Sequence, residues 1–286
     1  MLKYRLLFGT LMTVLFTGLV VFDGWLDGSL TASAADDRQV RATVLMVLVA
    51  VVIGLGGIEF SALAAARGLF VLNPAALIGL VLLATAWYWP QVFHVSRGTY
   101  LLSVAAFTLA GIFFQQHARS GTDGVLANCG ISCFMLMYLG MLAAFVLGIR
   151  IDKGLWPTLM FFFAVKSSDI GAYTFGRLFG RHKLAPRVSP GKTWEGMAGA
   201  VVLATIISLA FAAVFGIMKI GPALAFGAGI AFVGQLSDLT ESMLKRDAKQ
   251  KDSSNRVPGF GGILDVIDSP LFAAPFAYLF FTLLMR

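Results

Sequence analysis

Apolar windows long enough to cross a bilayer recur nine times in this chain, at about 6–22, 41–58, 69–89, 99–115, 125–149, 155–175, 194–217, 221–240 and 262–285. A helix that crosses the hydrocarbon needs ~20 such residues. The chain is therefore expected to be all-α, a polytopic integral membrane protein with about nine transmembrane helices. Composition agrees, since the 286 residues are 58% hydrophobic and 13% charged, whereas a soluble chain is about a quarter charged. No length remains for a sizeable soluble domain, and disorder, collagen-like repeats and nucleic-acid-binding modules are excluded. Lys3 and Arg5 precede the first window, and Ala32, Ser33 and Ala34 have the small-residue form of a cleavage site. That window is long for a signal core and the cleavage site lies well beyond it, so a first transmembrane helix is expected.

A net charge of +7 identifies no polyanionic partner, because membrane proteins gather Lys and Arg in their cytoplasmic loops regardless. Their distribution does set an orientation. One side of the nine spans holds 14 of them, at Lys3, Arg5, Arg67, Arg119, in the loop 176–193 and in the segment 241–261, against 7 on the other side. The N-terminus and both basic loops are thereby expected on the cytoplasmic side of the plasma membrane, with the C-terminus outside. Residues 1–150 read as about five N-terminal spans and 151–286 as a C-terminal catalytic region with two basic cytoplasmic loops, together one membrane domain. Glycines within spans, such as Gly54, Gly56, Gly57, Gly227 and Gly229, point to close helix packing. Cys129 and Cys133 read as two buried small residues without further metal ligands. Pro270 and Pro275 imply that the last span starts late or kinks. Oligomeric state stays open, and a homodimer is compatible with everything above.

Where the acids lie carries the functional signal. Up to residue 150, Asp23, Asp27, Asp36, Asp37, Asp123 and Glu59 fall in loops or at a span end, as solvated connections would have them. Beyond it, Lys166 and Asp169 interrupt the sixth span, Asp238 and Glu241 end the eighth, and Asp265 and Asp268 open the ninth. Ionisable groups in membrane helices are costly unless paired or hydrated, so they are functional candidates. On a continuing helix Asp238, Glu241, Ser242 and Lys245 form one polar stripe. Lys245, Arg246, Lys249 and Lys251 follow as a cationic stretch, then Pro258-Gly259-Phe260-Gly261-Gly262, a turn that lets backbone N–H groups approach an anion. The cations alone also suit a positive-inside loop, and Asp268 and Ser269 before Pro270 also suit a helix N-cap. Together in one window they offer hard oxygens for Mg²⁺ and positive donors for a polyphosphate.

The other basic loop holds Arg177, Arg181, Lys183, Arg187 and Lys192 with Ser189 and Thr193, a broad surface for phosphate or for anionic lipid. Gly191-Lys192-Thr193 mimics the end of a P-loop, but Pro186 stands where its first glycine belongs, and no strand precedes it. His182 reads as exposed rather than catalytic, and His94 and His117 receive no role.

The run Ser242-Met-Leu-Lys245-Arg246, Lys251-Asp252 and Pro258-Gly259-Phe260-Gly261-Gly262-Ile-Leu-Asp265-Val-Ile-Asp268-Ser269 resembles the signature of the CDP-diacylglycerol synthases, also called phosphatidate cytidylyltransferases. Upstream, Asp169-Ile-Gly-Ala-Tyr173, Gly176-Arg177, Phe179-Gly180-Arg181 and Ser189-Pro190-Gly191-Lys192-Thr193-Trp194-Glu195-Gly196 resembles that family's second motif. The likeness covers about residues 165–270. It implies an enzyme that joins CTP to phosphatidic acid, giving CDP-diacylglycerol and pyrophosphate, with Mg²⁺ as cofactor and the bilayer as host. Carried over, it makes Asp238 and Asp265 the first metal ligands, and Asp252 and Asp268 further ligands or organisers of the cations. Lys192, Lys245, Arg246 and Lys251 would hold phosphates, Ser189 and Ser242 would donate hydroxyls, and Gly259 and Gly261 would shape the nucleotide loop. Two positions depart from the family: Phe260 replaces its usual His and Val266 its usual Arg. The rival reading is an ion-coupled transporter relaying charge through Lys166, Asp169 and Asp238. It requires acids near the bilayer centre and symmetry between halves, whereas these acids gather toward one face of the C-terminal half. CDP-alcohol phosphotransferases, the other magnesium enzymes of this setting, carry a dense Asp-x-x-x-Asp run that is missing here.

Overall fold

A computed structural model describes residues 2–30, 38–250, 253–254 and 261–285. It divides into two compact units, Met1–Ile151 with Asp247–Val266 and Asp152–Arg246 with Ile267–Arg286. The first unit contains α1 (Leu2–Leu26), α2 (Thr43–Ala65), α3 (Ala75–Ala84), α4 (Trp89–Phe93), α5 (Arg97–Ser120), α6 (Val125–Met135) and, after a π-helical turn at Leu136–Met141, most of α7 (Leu142–Lys153). The second contains α8 (Leu155–Phe179), strands β1 (Lys183–Ala185) and β2 (Ser189–Thr193), α9 (Trp194–Phe215), nearly all of α10 (Ile220–Asp247) and most of α11 (Leu264–Leu284).

Eight of the nine apolar windows fall on helix along most of their length and the third only in part, and the chain is an all-α integral membrane protein. Among the described residues, seven helices are long and apolar enough to span: Gly9–Leu26, Thr43–Ala65, Arg97–Ser120, Val125–Lys153, Trp194–Phe215, Ile220–Asp247 and Leu264–Leu284. The expected count of nine is not reached on that measure. The third window gives only the ten-residue α3, which ends where Thr85 turns its hydroxyl back to the Val81 carbonyl (2.7 Å) and α4 starts with Pro90 in its first turn. The sixth gives α8, full length at 25 residues but carrying Lys166, Asp169 and Arg177.

Within the first unit, two acids expected in water are buried instead. Arg150, fully buried at 0% exposure, pairs with Asp23 (3.1 Å) and Asp27 (2.7 Å). Asp23 also accepts the Val44 amide at 2.8 Å, and Asp27 the Ala42 amide at 3.3 Å. Ala42 offers no side-chain cap of its own, so acids from the end of α1 take over the orphan donors that begin α2.

In the second unit, α8 and α9 approach so closely that a Cβ on Gly171 would strike the Gly199 carbonyl, and one on Gly199 would strike Phe175. Of the glycines singled out for packing, a Cβ at Gly227 would meet the Thr205 backbone and one at Gly229 the Phe276 ring, while in the first unit one at Gly57 would strike Leu80 and one at Gly54 would make only ordinary contact with Val81. The basic loop is in part a hairpin, which the sequence does not announce. β1 and β2 pair antiparallel, Lys183 opposite Thr193 and Ala185 opposite Ser189. Thr193 then caps α9 by accepting the Gly196 amide at 3.1 Å. The last span does not start late: α11 begins at Leu264 and contains both Pro270 and Pro275. Asp268 thus lies inside it and is not its N-cap.

Candidate active site

Lys192 projects from β2 to α10. Its ammonium donates to the Asp238 carboxylate (2.6 Å), the Gln235 side chain (3.0 Å) and the Gln235 carbonyl (3.1 Å), filling all three of its donor directions. Asp238 turns its other oxygen to the Ser269 hydroxyl of α11 (2.6 Å), and the same hydroxyl stands 3.2 Å from Asp169 of α8. Lys166, one helical turn before Asp169, lies 3.7 Å from it. Asp268 is buried beside this group, accepting the Ser269 amide at 2.7 Å, while its carbonyl accepts from Ser237. Four elements thereby bring three acids, two lysines and a serine into one part-buried cluster of the second unit. The hairpin supplies the lysine because Glu195, on the first turn of α9, accepts the Arg181 and His182 amides (3.1 and 3.2 Å) and anchors the strand's base.

On the polar stripe of α10, Glu241 pairs with Lys245 at 2.7 Å, both largely buried. Ser242 is half-buried and Arg246 exposed. Ser189 sits half-buried in β2. His182 is exposed, 2.6 Å from Glu195. Cys129 is buried and Cys133 half-buried, both free thiols.

Asp265 belongs to the first unit, where it organises a loop. One of its oxygens accepts from the Ser253 amide (3.0 Å), the Ser253 hydroxyl (2.8 Å) and the Gly262 amide (2.7 Å). Gly261 has φ of 105°, in the region that favours glycine. Val266 is half-buried, its amide bonded to the Ile263 carbonyl at 3.0 Å. Lys251, Asp252, Gly259 and Phe260 lie outside the described residues.

A family model, the cytidylyltransferase family, matches residues 38–284. The chain belongs to this family. It is 30% identical to the phosphatidate cytidylyltransferase of Bacillus subtilis, across 97% of this chain and 96% of that one. The Pseudomonas aeruginosa phosphatidate cytidylyltransferase is 35% identical across 78% of this chain and 84% of its own, and that of Haemophilus influenzae 30% across 76% and 93%. These likenesses lend no support to an ion-coupled transporter.

For a cytidylyltransferase the cluster is chemically apt. Among the described residues no three or more His, Cys, Asp or Glu form a metal-holding group. Mg²⁺ needs no such cage, taking one or two carboxylates and leaving its other positions to water and phosphate. Asp169 and Asp238, drawn to a single hydroxyl, are a hard-oxygen pair that fits the ion. Two residues of this picture were only partly legible. Ser269 appeared as a cap, yet it is the hydroxyl joining two acids. Gln235 was not singled out at all, and a lone amide in the apolar run of α10 was the available signal.

Proposed function

We propose that this cytidylyltransferase condenses CTP with phosphatidic acid, forming CDP-diacylglycerol and pyrophosphate in phospholipid synthesis. The observation that carries the reading is the cluster in which motif residues from α8, β2, α10 and α11 meet, Lys192 and Asp238 at its centre. An oxygen of the lipid phosphate attacks the α-phosphorus of CTP, and the bond from that phosphorus to the bridging oxygen of the β-phosphate breaks, releasing pyrophosphate. The nucleophile is already ionised at neutral pH, so no general base is required. What the reaction needs is two anions held together against their repulsion, and a stabilised leaving group. Lys192 can exchange its contact with Asp238 for a phosphoryl oxygen, and Arg246, being exposed, is open to one. Lys245 and Lys251 are assigned phosphates by the signature, with Ser189 and Ser242 as hydroxyl donors and Gly259 and Gly261 as backbone donors.

Asp238 and Asp169 would hold Mg²⁺ in the second unit. The signature gives the same task to Asp265, with Asp252 and Asp268 as further ligands or organisers. When bound, the ion supplies positive charge to the phosphates. A site at the cytoplasmic end of the helices suits both substrates, since acyl chains stay in the bilayer while CTP arrives from water. Incubating the purified protein with labelled CTP, phosphatidic acid and Mg²⁺ tests the reading: CDP-diacylglycerol and pyrophosphate should form together. Failure of the label to enter lipid in an intact preparation refutes it.

A further inference from the structure

The membrane helix α2 contains a carboxylate to which no role has been given. Glu59 is only 2% exposed and lies within Thr43–Ala65, not at a solvated span end as its place in the sequence implies. Burying a carboxylate there is costly unless its oxygens are satisfied, so its partners define its task. Oε1 accepts the Ser254 hydroxyl at 2.7 Å, and Oε2 accepts the Ser253 hydroxyl at 3.2 Å and the Leu264 amide at 3.1 Å. Leu264 is the first residue of α11, and its N–H is one of the donors a helix start leaves without an internal acceptor.

The same Ser253 hydroxyl reaches Asp265 at 2.8 Å, so one hydroxyl lies between two carboxylates. Gly262 supplies a second, independent observation. A Cβ there would collide first with the Ser253 hydroxyl and next with the Glu59 carboxylate, so the close packing of Ser253 and Glu59 together requires glycine at this signature position. We infer that Glu59 is a positioning residue: from the N-terminal half of the chain it clamps Ser253, Ser254 and the first turn of α11, and thereby fixes how Asp265 is presented. Its kinetic consequence rests on the proposed cytidylyl transfer; its structural consequence does not.

The test compares full-length Glu59→Ala, Glu59→Gln and Ser254→Ala with the parent by hydrogen exchange and by steady-state kinetics with CTP and phosphatidic acid. In Glu59→Ala the Gly262 and Leu264 amides should exchange faster by about tenfold or more, the scale of one lost hydrogen bond to a charged group, while α5 and α6 keep their protection. kcat should fall by about the same factor, with KM for phosphatidic acid unchanged. Glu59→Gln retains a carbonyl oxygen for the Leu264 amide and an NH₂ that a serine hydroxyl can accept, so it should recover most of both properties. Ser254→Ala, which removes the hydroxyl bonded to Glu59 Oε1 and leaves the other Glu59 bonds in place, should fall between and guards against Glu59→Ala failing to fold. Parent-like exchange at Gly262 and Leu264 in Glu59→Ala, or in Ser254→Ala if the former does not fold, overturns the inference. Loss of protection spread evenly over α2, α5 and α6 with kcat intact overturns it too. A parent protein inactive on CTP and phosphatidic acid would refute the proposed reaction, while the exchange data would still decide the role of Glu59.

Discussion

Asp265→Asn should silence the enzyme while leaving its loop in place. One Asp265 oxygen receives three donors, the Ser253 amide, the Ser253 hydroxyl and the Gly262 amide, at 2.7–3.0 Å. An asparagine carbonyl can stand where that oxygen stands, so both backbone donors keep an acceptor, while the charge and the second acceptor oxygen are lost. Bonds to a charged acceptor contribute about 1.5–3 kcal/mol and neutral ones about 0.5–1.5, so the loop weakens by roughly 1 kcal/mol per bond. Asp265→Ala instead orphans two amides, costing about 1–3 kcal/mol each beyond the lost bonds. Thermal unfolding should therefore rank the parent above Asn, and Asn above Ala. Activity should rank them differently. If the carboxylate serves Mg²⁺, losing its charge removes about 4 kcal/mol of transition-state stabilisation, a fall of roughly 10³ in kcat/KM, in Asn and Ala alike. The assay is incorporation of labelled CMP from CTP into lipid at saturating Mg²⁺, normalised to folded protein. An asparagine variant within about tenfold of the parent refutes the metal role and leaves Asp265 a loop organiser. Equal thermal stability of Asn and Ala refutes the hydrogen-bond reasoning.

Arg150→Met should destabilise the protein by about 3–5 kcal/mol, because it leaves Asp23 and Asp27 buried without their countercharge; a thermal shift close to zero would contradict this. In a background lacking Cys129 and Cys133, a cysteine replacing the exposed Arg187 of the hairpin should be labelled only from the cytoplasm and one replacing the exposed Lys219 only from outside; the reverse pattern would invert the orientation and move the site to the other face. If the chain has adapted to apolar residues at both departures, Phe260→His buries an unpaired imidazole and should lower both activity and thermal stability. Steady-state kinetics on this variant, on Val266→Arg and on the pair would detect the opposite, a single Phe260→His more active than the parent.

What could be read from the sequence follows from how far apart the interacting residues lie in it. Hydrophobic length is a local property, so eight apolar windows fell on helix along most of their length and only the third in part, and the motif residues near Lys192, Asp238 and Asp268 were visible because charge inside α8, α10 and α11 stands out against its immediate neighbours. Buried acids of the first half were misplaced for the same reason. A window that ends at a charged residue treats that residue as solvated, whereas the partner that permits burial is distant: Arg150 is 123 residues from Asp27, and Ser253 is 194 from Glu59. The hairpin was missed because strands of three and five residues are too short to show an alternating pattern. Glu59 marks the consequence for function. A signature confined to about residues 165–270 contains Ser253, Gly262 and Asp265 but not the carboxylate that three of its donors converge upon. Glycine at position 262 is required by Ser253 of the loop together with Glu59 of α2, so removing Glu59 alone leaves the nearer hydroxyl in the way, and Gly262→Ala should be better tolerated in a chain carrying both Glu59→Ala and Ser253→Ala than in one carrying Glu59→Ala alone.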